Sequence, residues 1–106
     1  MIYRMICAAL IAPLLIGVAS AAATRTVRVQ NETPALIDVG WLQPPSSTTL
    51  SRYGTLLANT AQPFKLDEGE AKVVVKSSAC HGSSSMLVPQ RATTVIVESG
   101  CNLLVR

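Results

Sequence analysis

The sequence predicts a small all-β domain: an antiparallel β-sandwich of about seven short strands with one disulfide. Three observations predict it. Short runs of alternating apolar and polar residues recur along the chain, separated by turn residues. Past residue 23, apolar residues fall at helical spacing only around Leu50 to Leu57. Two cysteines remain in that same stretch, Cys80 and Cys101, and an even pair in a small exported domain reads as one disulfide.

Export is read from the first 23 residues. Arg4 supplies a positive start, Met5 to Val18 an apolar run interrupted by Pro13 and Gly17, and Ala19 to Ala23 the small residues a signal peptidase needs. Cleavage after Ala21 and after Ala23 both satisfy the small-x-small rule, and either removes Cys7. The apolar run falls short of the roughly 20 residues that span a bilayer, so cleavage is favoured over an uncleaved N-terminal anchor and no membrane span is expected after it. Cys7 lies at the start of the run, where a lipoprotein cysteine does not sit, and Arg4 has no twin. The expected compartment is a bacterial periplasm or the exterior.

The elements then follow in order. Thr24 to Gln30 alternates, with Val27 and Val29 on one face, and Asn31-Glu32-Thr33-Pro34 turns the chain. Ala35 to Leu42 places Ile37, Val39 and Trp41 on one face. These two strands are expected to form a hairpin or to lie across the sandwich from each other. Gln43 to Tyr53 reads as the longest irregular segment, an exposed loop around Pro44-Pro45-Ser46-Ser47-Thr48-Thr49. Leu50, Tyr53, Leu56 and Leu57 are expected to return to the core, one helical turn being a route. Phe64 and Leu66 make a short strand that ends at Asp67-Glu68-Gly69. Ala71 to Ser77 carries the strongest strand signal, Val73-Val74-Val75 between two lysines. His81 to Ser85 reads as a turn, Met86–Val88 and Thr93–Glu98 as a hairpin across Pro89-Gln90-Arg91, and Cys101 to Arg106 as a last strand after Gly100.

Composition excludes several classes. The chain from Thr24 has 83 residues, enough for one domain. Its eight basic and six acidic side chains leave a net charge of +2, scattered along the sequence. Nucleic-acid binding calls for a clustered basic stripe, which is lacking. A core of this size supplies about 3–5 kcal/mol of net stability. A disulfide closing a loop of about 20 residues, worth roughly 3 kcal/mol, matters on that scale.

The candidate chemistry is thin. His81 adjoins Cys80, but neighbours on an extended chain point to opposite sides, and zinc needs more ligands than these two and Cys101. Without C-x-x-C, thiol exchange has no motif. Gly82-Ser83-Ser84-Ser85-Met86 lacks the second glycine of a nucleophile elbow. Asp67, Glu68 and Glu70 supply oxygens of the kind calcium takes, without the rest of a calcium loop. No cofactor or metal is expected, and no catalysis. Trp41, in phase with Ile37 and Val39, is assigned to the core, while Tyr53 stays open between core and binding surface. Asn31-Glu32-Thr33 matches a glycosylation sequon, relevant only in a eukaryotic host.

The order of short motifs resembles a group of small exported bacterial β-sandwich proteins. Its members open with V-x-N-x-T, here Val29-Gln30-Asn31-Glu32-Thr33. They continue with an aromatic-Gly pair leading into Leu-Leu, here Tyr53-Gly54-Thr55-Leu56-Leu57. A Leu-x-x-Gly turn follows, here Leu66-Asp67-Glu68-Gly69, and two late cysteines close the chain, here Cys80 and Cys101. The resemblance implies a β-sandwich and no particular activity. Where members carry an aromatic-Asp pair after the first cysteine, this chain has His81-Gly82-Ser83.

The functional expectation is therefore binding without catalysis, to a protein partner or small ligand. Inhibition of a hydrolase and service as an accessory subunit of an envelope or secretion assembly are the alternatives. The expected surfaces are the loop with Pro44, Pro45, Ser46, Ser47 and Tyr53, and the turn with His81, Gly82 and Ser83.

Overall fold

The computed structural model describes residues 23–106. The signal-peptide reading, with Cys7, falls on residues outside these. Eight strands form: β1 (Thr24–Asn31), β2 (Ile37–Leu42), β3 (Ser51–Leu56), β4 (Ala61–Asp67), β5 (Ala71–Lys76), β6 (Ser83–Val88), β7 (Thr94–Glu98) and β8 (Asn102–Val105). They divide into two four-stranded sheets. Sheet A has the order β4-β1-β7-β8 and sheet B the order β3-β2-β5-β6. The all-β sandwich and the Cys80–Cys101 disulfide are as the sequence predicts, with one strand more than the expected seven.

Alternation does what the pleat requires. Val27 and Val29 of β1, Ile37, Val39 and Trp41 of β2, and Val73 and Val75 of β5 are all buried between the sheets. Each such side chain contributes about 1.5–3 kcal/mol on leaving water. Trp41 sits at the centre with its ring 5.7 Å from that of Phe64, tilted by 56°. Its indole N–H is buried with no protein acceptor.

β1 and β2 lie in different sheets, so of the two arrangements expected the crossing one is found. Asn31 holds the crossing. Buried at the end of β1, it donates from Nδ2 to the carbonyls of Ala35 (2.8 Å), Leu57 (3.0 Å) and Leu56 (3.3 Å). Its Oδ1 accepts from the backbone N–H and hydroxyl of Thr33. The sequon asparagine is thus fully engaged in joining the β1–β2 connection to the end of β3.

Four local expectations are corrected. Residues 50–57 make no helical turn: β3 pairs with β2, Ile37 opposite Leu56, and leaves Tyr53 and Leu57 outside the core at 70% and 63% exposure. Ser83 to Ser85 belong to β6, not to a turn, because Ser83, Ser84 and Ser85 pair with Lys76, Val75 and Val74 of the strongest strand. β6 and β7 form no hairpin; β6 continues sheet B while β7 enters sheet A. Arg25 explains how the chain changes sheets there. Its guanidinium donates to the carbonyls of Gln90 (2.6 Å), Ala92 (2.9 Å) and Val88 (3.3 Å), so the crossover is tied to the start of β1. Finally, the pairing is not antiparallel throughout, since β1 and β7 run parallel. Parallel neighbours need a crossover connection, and five intervening strands provide one.

Candidate functional site

Register places the expected binding residues at three separate positions. Leu42 pairs with Lys72 at one end of β5, and Asp38 with Lys76 at the other. The loop after β2 therefore sits at one end of sheet B and the loop after β5 at the opposite end. Pro44, Pro45, Ser46 and Ser47 lie at the first end, His81, Gly82 and Ser83 at the second. Four steps of strand, roughly 13 Å, separate them. The structure does not bring these two segments together. Tyr53 stands between them, on the outer face of the sheet.

Neither loop is free. After a cis Gln43–Pro44 peptide, the first is anchored by Gln43, whose amide copies a strand pairing. Nε2 donates to the carbonyl of Asp67 (2.7 Å), and Oε1 accepts from the N–H of Asp67 (3.0 Å). Ser47 turns the chain by accepting from the N–H of Thr49 (3.2 Å), and Arg52 pairs with Asp67 at 3.2 Å across exposed surface. The second loop is held by Ser77, which donates to the carbonyl of Leu36 (2.9 Å), and by the disulfide. His81 and Gly82 are exposed beside a buried Cys80. Among the described residues, no three His, Cys, Asp or Glu side chains are grouped to hold a metal ion.

Both outer faces mix apolar and charged groups, and that of sheet B carries the exposed aromatic Tyr53. Sheet A presents Thr26, Arg28 and Gln30 from β1, Pro63 and Lys65 from β4, and Glu98 from β7, with Ile96 opposite the exposed Leu104 of β8 as an apolar pair among them. Sheet B presents Leu42 and Gly40 from β2, Tyr53 from β3, Val74 from β5 and Leu87 from β6, with Asp38, Lys72 and Lys76 among them. Scattered surface apolar groups need no explanation, but a contiguous set on one face marks interaction.

At the middle of that face Gly40 forms the floor of a depression of about 90 Å³, lined by Asp38, Val39, Leu50, Tyr53, Val74 and Lys76. A Cβ on Gly40 would lie 3.4 Å from Leu50 Cδ2 and 3.5 Å from Tyr53 Cδ1, in ordinary van der Waals contact with both, so these two side chains stand about one methyl group off the glycine backbone. Tyr53 is pinned at its far end by donating its hydroxyl to the Leu50 carbonyl (3.1 Å). Thr55 donates to the Asp38 carboxylate (2.9 Å), orienting it at the rim beside Lys76. Sites for cofactor-sized ligands run to about 300–1,000 Å³. This depression accepts one side chain or a small apolar group. A broader cleft of about 630 Å³ between Glu70 and Pro89–Arg91 is an open groove between loops.

Reasoning from sequence left Tyr53 open and missed Gly40, Leu50 and Val74 as neighbours. The available signal was Gly40 inside a strand, which often marks close approach by another group. Electrostatics adds little here. Among the described residues the one shifted group, Arg25, lies at the crossover, where burial lowers its pKa and Glu68 opposes the shift.

No family model, curated protein or solved structure matches this chain. Among the described residues, no helix is long and apolar enough to cross a membrane.

Proposed function

We propose that this protein is an exported, non-enzymatic binding module of the bacterial cell envelope, and that it recognises a protein partner through the outer face of sheet B. The observation that carries the reading is the depression at Gly40, where Tyr53 is 70% exposed yet fixed in place by Leu50 and by its own hydroxyl. A rigid, amphipathic aromatic beside a side-chain-sized hollow supplies contact area at low entropic cost, as interface anchors do. Asp38 and Lys76 at the rim add paired polar contacts that fix orientation. Pro44 to Ser47 border the face at one end, and His81 to Ser83 at the other. Export is supported by the sequence of the first 23 residues and by the disulfide, which persists in oxidising compartments.

The test is affinity capture from the native envelope with the wild-type protein, Tyr53→Ala and Gly40→Val. Tyr53 is exposed, so its truncation should leave folding intact, and valine suits a strand while filling the hollow. A partner retained by the wild type should lose at least about tenfold in affinity to both variants, the effect of removing an anchor worth over 1.4 kcal/mol. Equal binding by all three proteins, each with an unchanged circular dichroism spectrum, would discard the face as the site.

A further inference from the structure

The free edges of the two sheets are not equivalent. In sheet A, β4 carries Pro63 and Lys65, and β8 is only four residues long. In sheet B, β3 carries Arg52 in the left-handed region at φ 53° and a register shift against β2. Prolines, charges, irregularities and shortness are the usual protections against edge-to-edge pairing. β6 has none of them. Ser83-Ser84-Ser85-Met86-Leu87-Val88 is six residues long, regular in register and uncharged. Its Met86 faces the same side as the buried Val73, yet is 39% exposed, and Leu87 on the outer face is 44% exposed.

We infer that β6 pairs antiparallel with β6 of a second copy of this chain, about a two-fold axis perpendicular to the sheet at Met86. Three features select a copy as the occupant. The first is parity. An axis at Met86 sets it opposite its own counterpart, Ser85 opposite Leu87 and Ser84 opposite Val88, so inner faces meet inner faces and the two exposed methionines cover each other. The second is shape, because this register sets each serine against a larger apolar side chain. The third is charge. An uncharged edge offers a foreign strand nothing to be chosen by, and a copy laid against it brings no like charges together. The nearest cations, Lys72 and Lys76 on β5, would be three strand spacings from their counterparts. That is roughly 14 Å, beyond the Debye length of physiological salt. The interface would be isologous, as a two-fold dimer requires. It would join the two B sheets into one eight-stranded sheet whose outer faces point the same way. β6 contributes none of the residues that line the depression at Tyr53, although its Leu87 belongs to the same outer face, and the pairing stands or falls separately from that site.

The test uses the full chain expressed in an exporting host and purified with its disulfide intact. Light scattering coupled to size exclusion, from micromolar to submillimolar protein, should give twice the monomer mass. Leu87→Lys, which adds a charge at an exposed position of the edge, should halve that mass while leaving the thermal transition of the monomer in place. Met86→Cys reads the register: air oxidation should cross-link it across the axis into a reductant-sensitive dimer, whereas Ser84→Cys, which faces Val88, should remain largely uncross-linked. A wild-type protein that is monomeric throughout the range overturns the inference, including when β6 is found paired with another protein. Equal cross-linking of the two cysteine variants overturns the register.

Discussion

Gly54 faces the ring of Phe64 so closely that a Cβ added there would lie 2.6 Å from Cζ and 2.7 Å from Cε2. Backbone φ does not demand glycine at this position; the aromatic does. Gly54→Ala should destabilise the protein by about 1–3 kcal/mol, the cost of overpacking a filled core. The cause can be isolated, because Phe64→Leu shortens the offending ring. Combined with Gly54→Ala it should cost less than the two single changes added, by about 1 kcal/mol, in urea titrations of all four proteins. Strict additivity would mean that Phe64 is not what keeps residue 54 a glycine. The same scale shows what sequence can disclose. Ile37, Val39 and Trp41 announce a buried face by alternation alone, and Trp41 is completely buried as that phase implies. Gly54 and Asn31 do not announce themselves, because their roles depend on groups brought near only by the fold: the Phe64 ring, and the carbonyls of Ala35, Leu56 and Leu57.

Among the elements, the loop between β2 and β3 is defined less by its prolines than by Gln43, whose amide closes two hydrogen bonds with Asp67 on the β4–β5 side. The side chain stands in for a strand neighbour. Gln43→Ala should leave the sheets intact, cost about 1 kcal/mol and raise the hydrogen-exchange rate of the Asp67 amide, with little change at the amides of β1 and β5. An unchanged Asp67 amide would show that the pair is not populated in solution. Strand positions were largely legible from alternation and turn residues; pairing was not. The Pro89-Gln90-Arg91 segment has the composition of a hairpin turn, and Ala92 does donate to the Pro89 carbonyl (3.0 Å). Yet the chain passes there from one sheet to the other, drawn by three bonds from Arg25, more than sixty residues away in sequence. Composition reports local conformation, and no local pattern encodes a contact of that span. The serine run of β6 was obscured for a related reason: its strand conformation is imposed by the valines of β5 opposite.

At the scale of the whole molecule, two devices at opposite ends join the sheets. The disulfide connects the β5–β6 loop of sheet B to the tight turn Ser99–Cys101 between β7 and β8 of sheet A, with Cα atoms 5.5 Å apart. Gly100 and Cys101 adopt left-handed φ of 81° and 62° in that turn. At the other end Arg25 ties β1 to the β6–β7 crossover, some 20 Å away along β1. Loss of the staple by Cys80→Ser with Cys101→Ser should cost about 3 kcal/mol, the loop-closure value for a separation of 21 residues. Arg25→Ala should cost about 2 kcal/mol, since it removes charge-assisted bonds to the carbonyls of Val88, Gln90 and Ala92, two of them partly buried. Devices this far apart without shared partners should act independently. Each change alone therefore leaves a folded protein with a lower melting temperature. The combination, at about 5 kcal/mol, reaches the whole net stability of a core this small. Far-UV circular dichroism of the combined variant at room temperature should then show a largely unfolded chain. A folded combined variant melting no lower than the weaker single one would mean that a single closure, not two, holds the sandwich shut.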